Sequence, residues 1–497
     1  MDISSGGEYG QKSSSLALID SEISNTEHAV LTVSSPQAQP KGAGALILDN
    51  VRLTNVAHAV SKPNGQVVLE GGTKTIQSWG QGRFYNRQGQ GQYHQGQLTP
   101  APVKPAALLD SNGKFVERMK PMYTDVAMED FVSVKSEGAK GDGRTDDTAA
   151  IARAMSKWAG CKVIYFPAGD YVVTDTIEVP VGSRVLGELW PTILAKGAKF
   201  QDMNNPRPVL KVGNPGDTGV AEVSDLILST QGRVPGAILL QVNVREPEGQ
   251  KAAVGFWDVH FRVGGAKGTD LQSGNCNRDQ GFKEECEGAF LMLHVAPTGS
   301  AYLENMWAWL GDHDLDGWSQ ISVYNGRGIY IESKEGPVWG YGTASEHNVL
   351  YQYNIANAKN VMLGLIQTET PYYQANPPAP KPFTTLAKWN DPDYSHCPQG
   401  SVTCPMAWGL RIVNSESVFV YGAGLYNFFQ NYGQGCIAQE HCQDNMVSVE
   451  NSTKNIYLFN INTKASDNMV SVDGQSRVRQ ADNRGDFCST IAGFLDQ

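Results

Sequence analysis

"SLALIDSEISNT" at residues 15–26 and "GALILDNVRLTNV" at residues 44–56 decide the fold. They align at an offset of 30 residues, which sets Ile23-Ser24-Asn25 against Leu53-Thr54-Asn55. Each run alternates apolar and polar residues, is too short for a helix, and is bounded by Gly, Asn or Asp. Runs of the same kind recur downstream: "EVSDLILST" (222–230), "GFWDVHFRV" (255–263), "AYLENMWAWL" (301–310), "NVLYQYNI" (348–355), "NVMLGLIQ" (360–367), "SVFVYGAG" (417–424) and "NIYLFNIN" (455–462). Several begin with Asn or Ser followed by a β-branched residue. Irregular repeats of about 20–30 residues built from such strands predict an all-β chain folded as a right-handed parallel β-helix. Each coil buries an inward row of side chains and stacks about 4.8 Å from the next. A β-sandwich would also contain many short strands, but it gives no reason for the recurring Asn–aliphatic pairs.

Composition agrees with that class. The 497 residues include 53 glycines and only 18% charged residues, as suits a turn-rich β protein. A net charge of −11 gives no general attraction to nucleic acid or to an anionic membrane, so neither is an expected partner. No apolar run reaches the 18 residues a membrane-spanning helix needs. Six of the eight cysteines form pairs close in sequence, Cys276 with Cys286, Cys397 with Cys404 and Cys436 with Cys442. These spacings suit disulfides that pin surface loops in an oxidising compartment. Cys161 and Cys488 remain, and elimination favours a bond between them. His396 and His441 adjoin two of the cysteines, yet no C-x2-C pair exists, so neither a metal nor any other cofactor is expected. The sequon Asn451-Ser452-Thr453 is compatible with secretion. "DISSGGEYGQ" after Met1 lacks the basic start and apolar core of a leader, which predicts an extracellular protein whose N-terminus lies upstream.

Residues 141–160, "GDGRTDDTAAIARAMSKWAG", predict a helix near 146–159. Thr145, Asp146 and Asp147 cap its start, and Ile151, Ala154, Met155 and Trp158 share a face. Such a helix closes the open end of a solenoid. The Gln-, Gly- and Pro-rich stretch 76–130 reads as a linker or wrapping arm. Residues 375–408 read as a long loop with an internal disulfide, long enough to wall a site.

"GAKGDGRTDDTAAI" (138–151) with "VIYFPAGDYVV" (163–173) resembles the opening motif of the pectate-lyase-like β-helix superfamily. More specific are "CEGAFLMLHVAPTGSAYLENMWAWLGDHDLD" (286–316), "GPVWGYGTASEHNVLYQYN" (336–354) and "IQTETPYYQ" (366–374). Together they resemble glycoside hydrolase family 55, exo-acting β-1,3-glucanases. The resemblance implies two β-helix domains side by side, each opened by G-D-G-x-T-D-D-T. One copy is present here, which makes residues 1–75 the last coils of a first domain and 131–497 the second domain. It also implies a monomer acting on β-1,3-glucan with inversion, Glu369 as general acid and Glu346 positioning water.

The residues alone support part of this. Glu346 and Glu369 lie 23 residues apart, so coils of that length would project both from one face. Stacked directly, they would sit about 5 Å apart, nearer the spacing of retaining than of inverting glycosidases. Trp309, Trp339, Tyr341, Tyr372 and Tyr373 are candidate sugar platforms, and Asp312, His313 and Asp314 candidate hydroxyl partners. Trp307 and Trp309 share a strand face, so at least one is expected in the core. Two other readings compete: a polyuronate-active β-helix enzyme, which would call for clustered Asp and basic residues, and a non-catalytic carbohydrate-binding solenoid or inactive fragment.

Overall fold

The computed structural model describes residues 1–3, 15–38, 40–452, 454–485 and 487–496. Among them the strands form two sheets, one of 22 strands and one of ten, with almost every neighbouring pair parallel. From residue 163 onward each coil passes through both sheets in turn, which is a parallel β-helix. The offset of 30 residues is a strand register: Ile23 pairs with Leu53 and Ser24 with Thr54 on strands Glu22–Leu31 and Ala45–Ser61.

The recurring polar residues are corners. In the larger sheet seven successive coils bend at Asp225, Asp258, Asn305, Gly342, Leu365, Gly422 and Asn460, all with φ between 52° and 71°. Asn, Asp and Gly tolerate this left-handed conformation because they avoid or offset the Cβ clash. A second corner falls at Asn360, Ser417 and Asn455, φ 57°, 56° and 57°, the residues that open three of the repeated runs. Side-chain amides also bond from coil to coil: Asn50 Nδ2 donates to Asp20 Oδ1 at 2.6 Å and Asn55 Nδ2 to Asn25 Oδ1 at 2.9 Å. Inside, rows of aliphatic residues such as Val361, Val418 and Ile456 stack in register and are fully buried. That burial is the main driving force of a solenoid, whose repeats bury little alone.

The helix spans Thr148–Trp158 and buries Ala150, Ile151, Ala154 and Met155. Asp146 Oδ1 accepts the Thr148 amide at 3.0 Å, while Asp147 reaches back to the amides of Lys140 and Gly141 at 2.7 and 2.9 Å. The acids of the opening motif are thus spent on backbone donors.

Residues 76–130 depart from the linker reading. Their first part is strand, Val67–Asn86 and Gly91–Gln97, and Phe84 pairs in parallel with Gly493 near the chain end. Glycine-rich composition misled here because Gly80 and Gly82 sit against Phe84 and Ala492, where a side chain would collide. From Leu98 onward the chain crosses the outside of the larger sheet. There Tyr302, Trp339, Met362, Phe419 and Tyr457 stack in register, and the crossing segment covers them.

Disulfides join Cys276–Cys286, Cys397–Cys404 and Cys436–Cys442. Cys161 and Cys488 are both free, against the expectation by elimination: Cys161 is exposed beyond the helix and Cys488 buried near the other end of the chain. Of the sequon, Thr453 lies outside the described residues. No described helix is long and apolar enough to cross a membrane.

Candidate active site

Beyond the corner, the strands of the larger sheet present one column of residues on their outer face. Arg262, Trp309, Glu346, Glu369, Tyr426 and Lys464 stand in register on successive coils. Glu346 ends strand Val338–Glu346 and Glu369 ends strand Lys359–Glu369. Two residues earlier, a parallel column carries Trp307, Ala344 and Gln367, and the Trp307 amide donates to His260 on the preceding coil.

These columns build the site. Trp307 Nε1 donates to Glu346 Oε2 at 3.1 Å and Gln367 Nε2 to Glu346 Oε1 at 2.6 Å. His347 follows Glu346 in the left-handed conformation at φ 67°, which turns its ring beneath the next coil. Its Nδ1 lies 2.9 Å from the Leu310 carbonyl and its Nε2 3.3 Å from Glu369 Oε2. Tyr372 packs edge-to-face on His347 at 4.7 Å, and the charges of Glu369 and Asp312 act on its hydroxyl. One donor atom each from Glu346, His347 and Glu369 lie within 4.8 Å of one another.

The electrostatics follow from that crowding. Burial raises the Glu346 carboxyl above its ordinary range, and the charge of Glu369 adds to the effect, while His347 and the Trp307 hydrogen bond oppose it. For His347, burial disfavours the cation, but the hydrogen bond and charge of Glu369, with Asp312 and Glu346 behind, outweigh it and push the imidazole up to about 9. Burial and the charges of Glu369 and Asp312 also raise the Tyr372 hydroxyl.

A stability prediction comes from His347. Its folded pKa lies above the ordinary 6.5, so its contribution is complete below about pH 6.5 and is lost as pH rises through about 9. A displacement of that size corresponds to about 3 kcal/mol. Glu346, also raised, has the same sign at lower pH. Denaturant unfolding at pH 6.5 and 9.5 should show the wild-type chain losing stability between them and a His347→Gln variant losing much less. Parallel curves would refute the charged pairing.

Several candidate residues are covered, although Trp309 stands in register beside Glu346. Trp307, 42% exposed, is the aromatic at the carboxylates; Trp309 is 4% exposed, its ring 5.2 Å from that of Trp307 and 5.6 Å from that of His313. Trp339 is fully buried and donates to the Leu108 carbonyl at 3.0 Å. Tyr341 bonds the Val116 carbonyl at 2.9 Å, under the crossing segment. Tyr373 is buried against Tyr324. Asp314 is spent holding the amide and hydroxyl of Ser273. Asp312 does reach Tyr372, and His313 bonds Asp312 at 2.9 Å while stacking on the exposed Trp318. Sequence reasoning missed Gln367 and His347. The signal for both was adjacency: each lies within two residues of a candidate glutamate.

Comparison with known proteins bears on the family of the chain. A family model described as rhamnogalacturonase A/epimerase, pectate lyase-like matches residues 131–214. A probable glucan endo-1,3-beta-glucosidase of Arthroderma benhamiae is 41% identical over 591 residues, covering 99% of this chain and 66% of the relative. A glucan 1,3-beta-glucosidase of Cochliobolus carbonum is 42% identical over 504 residues, covering 99% and 62%. The chain belongs to glycoside hydrolase family 55. It spans just under two thirds of the length of these two relatives. A solved variant of sacteLam55A from Streptomyces sp. SirexAA-E in complex with glucose is 16% identical, with a TM-score of 0.46 over 98% of this chain and 75% of that one. In this chain Glu346 and Glu369 pair on adjacent strands of the larger sheet.

Proposed function

We propose that this chain hydrolyses β-1,3-glucan from the non-reducing end, releasing glucose, with Glu369 as general acid and Glu346 as the residue that positions and deprotonates water. The supporting observation is the stacking of these two carboxylates on adjacent coils beside the exposed Trp307. Hydrolysis needs a proton for the departing oxygen and a water on the opposite face of the sugar. His347, whose Nε2 lies 3.3 Å from Glu369 Oε2, holds a proton up to about pH 9. Moving it through Glu369 onto the glycosidic oxygen lets the C–O bond break. Water adds to the anomeric carbon and gives its proton to Glu346. The raised affinity of Glu346 for a proton makes it a better base, and bonds from Trp307 and Gln367 hold it in one orientation.

The short spacing of the pair bears on stereochemistry. Oxygens within 4.8 Å are nearer the separation of retaining enzymes, about 5–5.5 Å, than the 6.5–9.5 Å of inverting ones. Inversion therefore requires the water to sit to one side of Glu346, rather than between the carboxylates. The names of the relatives include both endo- and unqualified 1,3-β-glucosidases, so the mode of attack is part of the proposal. Three disulfides fit an extracellular monomer acting on wall or storage glucan.

Proton NMR of fresh digests tests the whole reading. Laminarin should yield glucose alone, appearing first as the α-anomer. First-formed β-glucose would overturn inversion, a ladder of oligosaccharides would overturn exo action, and unsaturated products from polygalacturonate without glucose from laminarin would overturn the substrate class.

A further inference from the structure

The aromatic surface at Trp307 continues away from the carboxylates. The Trp307 amide donates to His260 Nδ1 at 3.2 Å, and the His260 ring meets the Trp190 ring edge-to-face, centroids 5.2 Å apart at 77°. Trp190 is 45% exposed. It and Leu189 both adopt positive φ, 73° and 50°, a conformation that residues with side chains rarely take. The Trp190 amide is tied to the Asp225 carbonyl at 3.2 Å, so the turn holds the indole outward. Strain of this kind at an exposed aromatic is a reason to look for function. Two residues beyond His260, on the same strand face, Arg262 Nε has no hydrogen-bond partner among the described residues.

We infer that Trp190, His260, Arg262 and Trp307 form a track that binds the glucan chain at a distance from the bond being cleaved; this rests on the reading of Glu346 and Glu369 as a glucan-hydrolysing pair. The residues lie in the order a chain would need. Trp190 stands just before strand Thr192–Ala195; Thr192, Ile227 and His260 are in register on successive coils, and Trp307 on the next coil bonds to His260. Three coil spacings separate the backbones of Thr192 and Trp307 by about 14 Å. Flat indole faces separated by polar donors suit an extended neutral sugar chain, which presents apolar ring faces and hydroxyl edges by turns. Isolated rings of this kind do not form the broad apolar patch of a protein interface. Burial disfavours the His260 cation, which leaves a neutral ring able to donate from Nε2 while Nδ1 accepts from Trp307. A track on one side of the pair would favour long substrates over short ones without changing the chemistry.

The test compares laminarihexaose with laminaribiose by calorimetric titration in the Glu369→Gln background, with and without Trp190→Ala. The expected result is a hexaose affinity about tenfold weaker and a hexaose-to-biose affinity ratio lower by the same factor, with Trp190→Phe recovering most of both. Trp190→Gly, which suits the left-handed backbone, guards against a folding artefact and should match Trp190→Ala. Unchanged hexaose affinity, or equal weakening for both sugars, overturns the track. Hydrolysis by the wild-type chain is measured alongside. Binding through Trp190 without any glucose release would sink the hydrolase reading and keep the track, whereas glucose release with an unchanged length preference in Trp190→Ala would overturn the track alone.

Discussion

Replacing Glu369 by Gln should lower kcat on laminarin by about 10²–10⁴-fold, the range associated with a positioned general acid. The amide keeps the size of the carboxyl and can still bond His347, so the fold and the glucan affinity should change little. What is lost is the proton. A substrate whose leaving group departs without protonation separates this from a structural effect: on an aryl β-glucoside with an acidic phenol, the loss should shrink to about tenfold or less, since the acid no longer governs the bond-breaking step. Glu346→Gln should behave differently. It removes the base, not the acid, so its losses on laminarin and on the aryl glucoside should be similar. If Glu369→Gln retains wild-type turnover on laminarin, Glu369 has no part in the mechanism.

The contrast between those two glutamates and their neighbours shows what a sequence can carry. Period and corner chemistry are local, and both were legible. Asn25 and Asn55 repeat because each coil needs a left-handed residue at its bend, and they meet side chain to side chain. The 23-residue interval between Glu346 and Glu369 is one coil, and the two pair directly. Coverage is not local. Trp307 and Trp309 have the same spacing signature, and only the fold of the following segment, which brings His313 against Trp309, decides which indole is hidden. Trp339 reads as a platform until the segment at Leu108 crosses it. Tyr372 and Tyr373 are adjacent, yet the turn after Glu369 sends one toward Glu369 and Asp312 and the other into the core. His347 was masked by its own partner: a histidine beside a glutamate in sequence turned out to serve the glutamate of the next coil.

The largest stability effect should come from Asp391→Ala, about 3–5 kcal/mol, read as a fall in the denaturant midpoint. Asp391 pairs with Arg327, and both side chains are completely shielded from solvent. Arg327 Nε donates to Asp391 Oδ1 at 2.8 Å, and its guanidinium lies 3.8 Å from the centroid of the Phe290 ring. Asp391 Oδ2 also accepts the Leu386 amide at 2.7 Å, so one carboxylate anchors the 375–408 loop to strand Arg327–Ile331. That strand belongs to the ten-stranded sheet, away from the face that carries Glu346 and Glu369. Removing the acid leaves a buried cation with no counter-charge, which is the costly event. Removing both charges is not: Asp391→Leu with Arg327→Met should be more stable than either single change, because the desolvation penalty disappears with the pair. The loop's ends are held separately, by Gln374 Oε1 accepting the Ala407 amide at 2.8 Å and its Nε2 donating to the Val349 carbonyl at 2.9 Å. Asp391→Ala should therefore expose the loop between Leu386 and Cys404 to proteolysis while activity per folded molecule persists. An Asp391→Ala protein that resists unfolding but fails to hydrolyse glucan would place this loop in the site, and would require the wall of the active site to be redrawn across the opposite sheet.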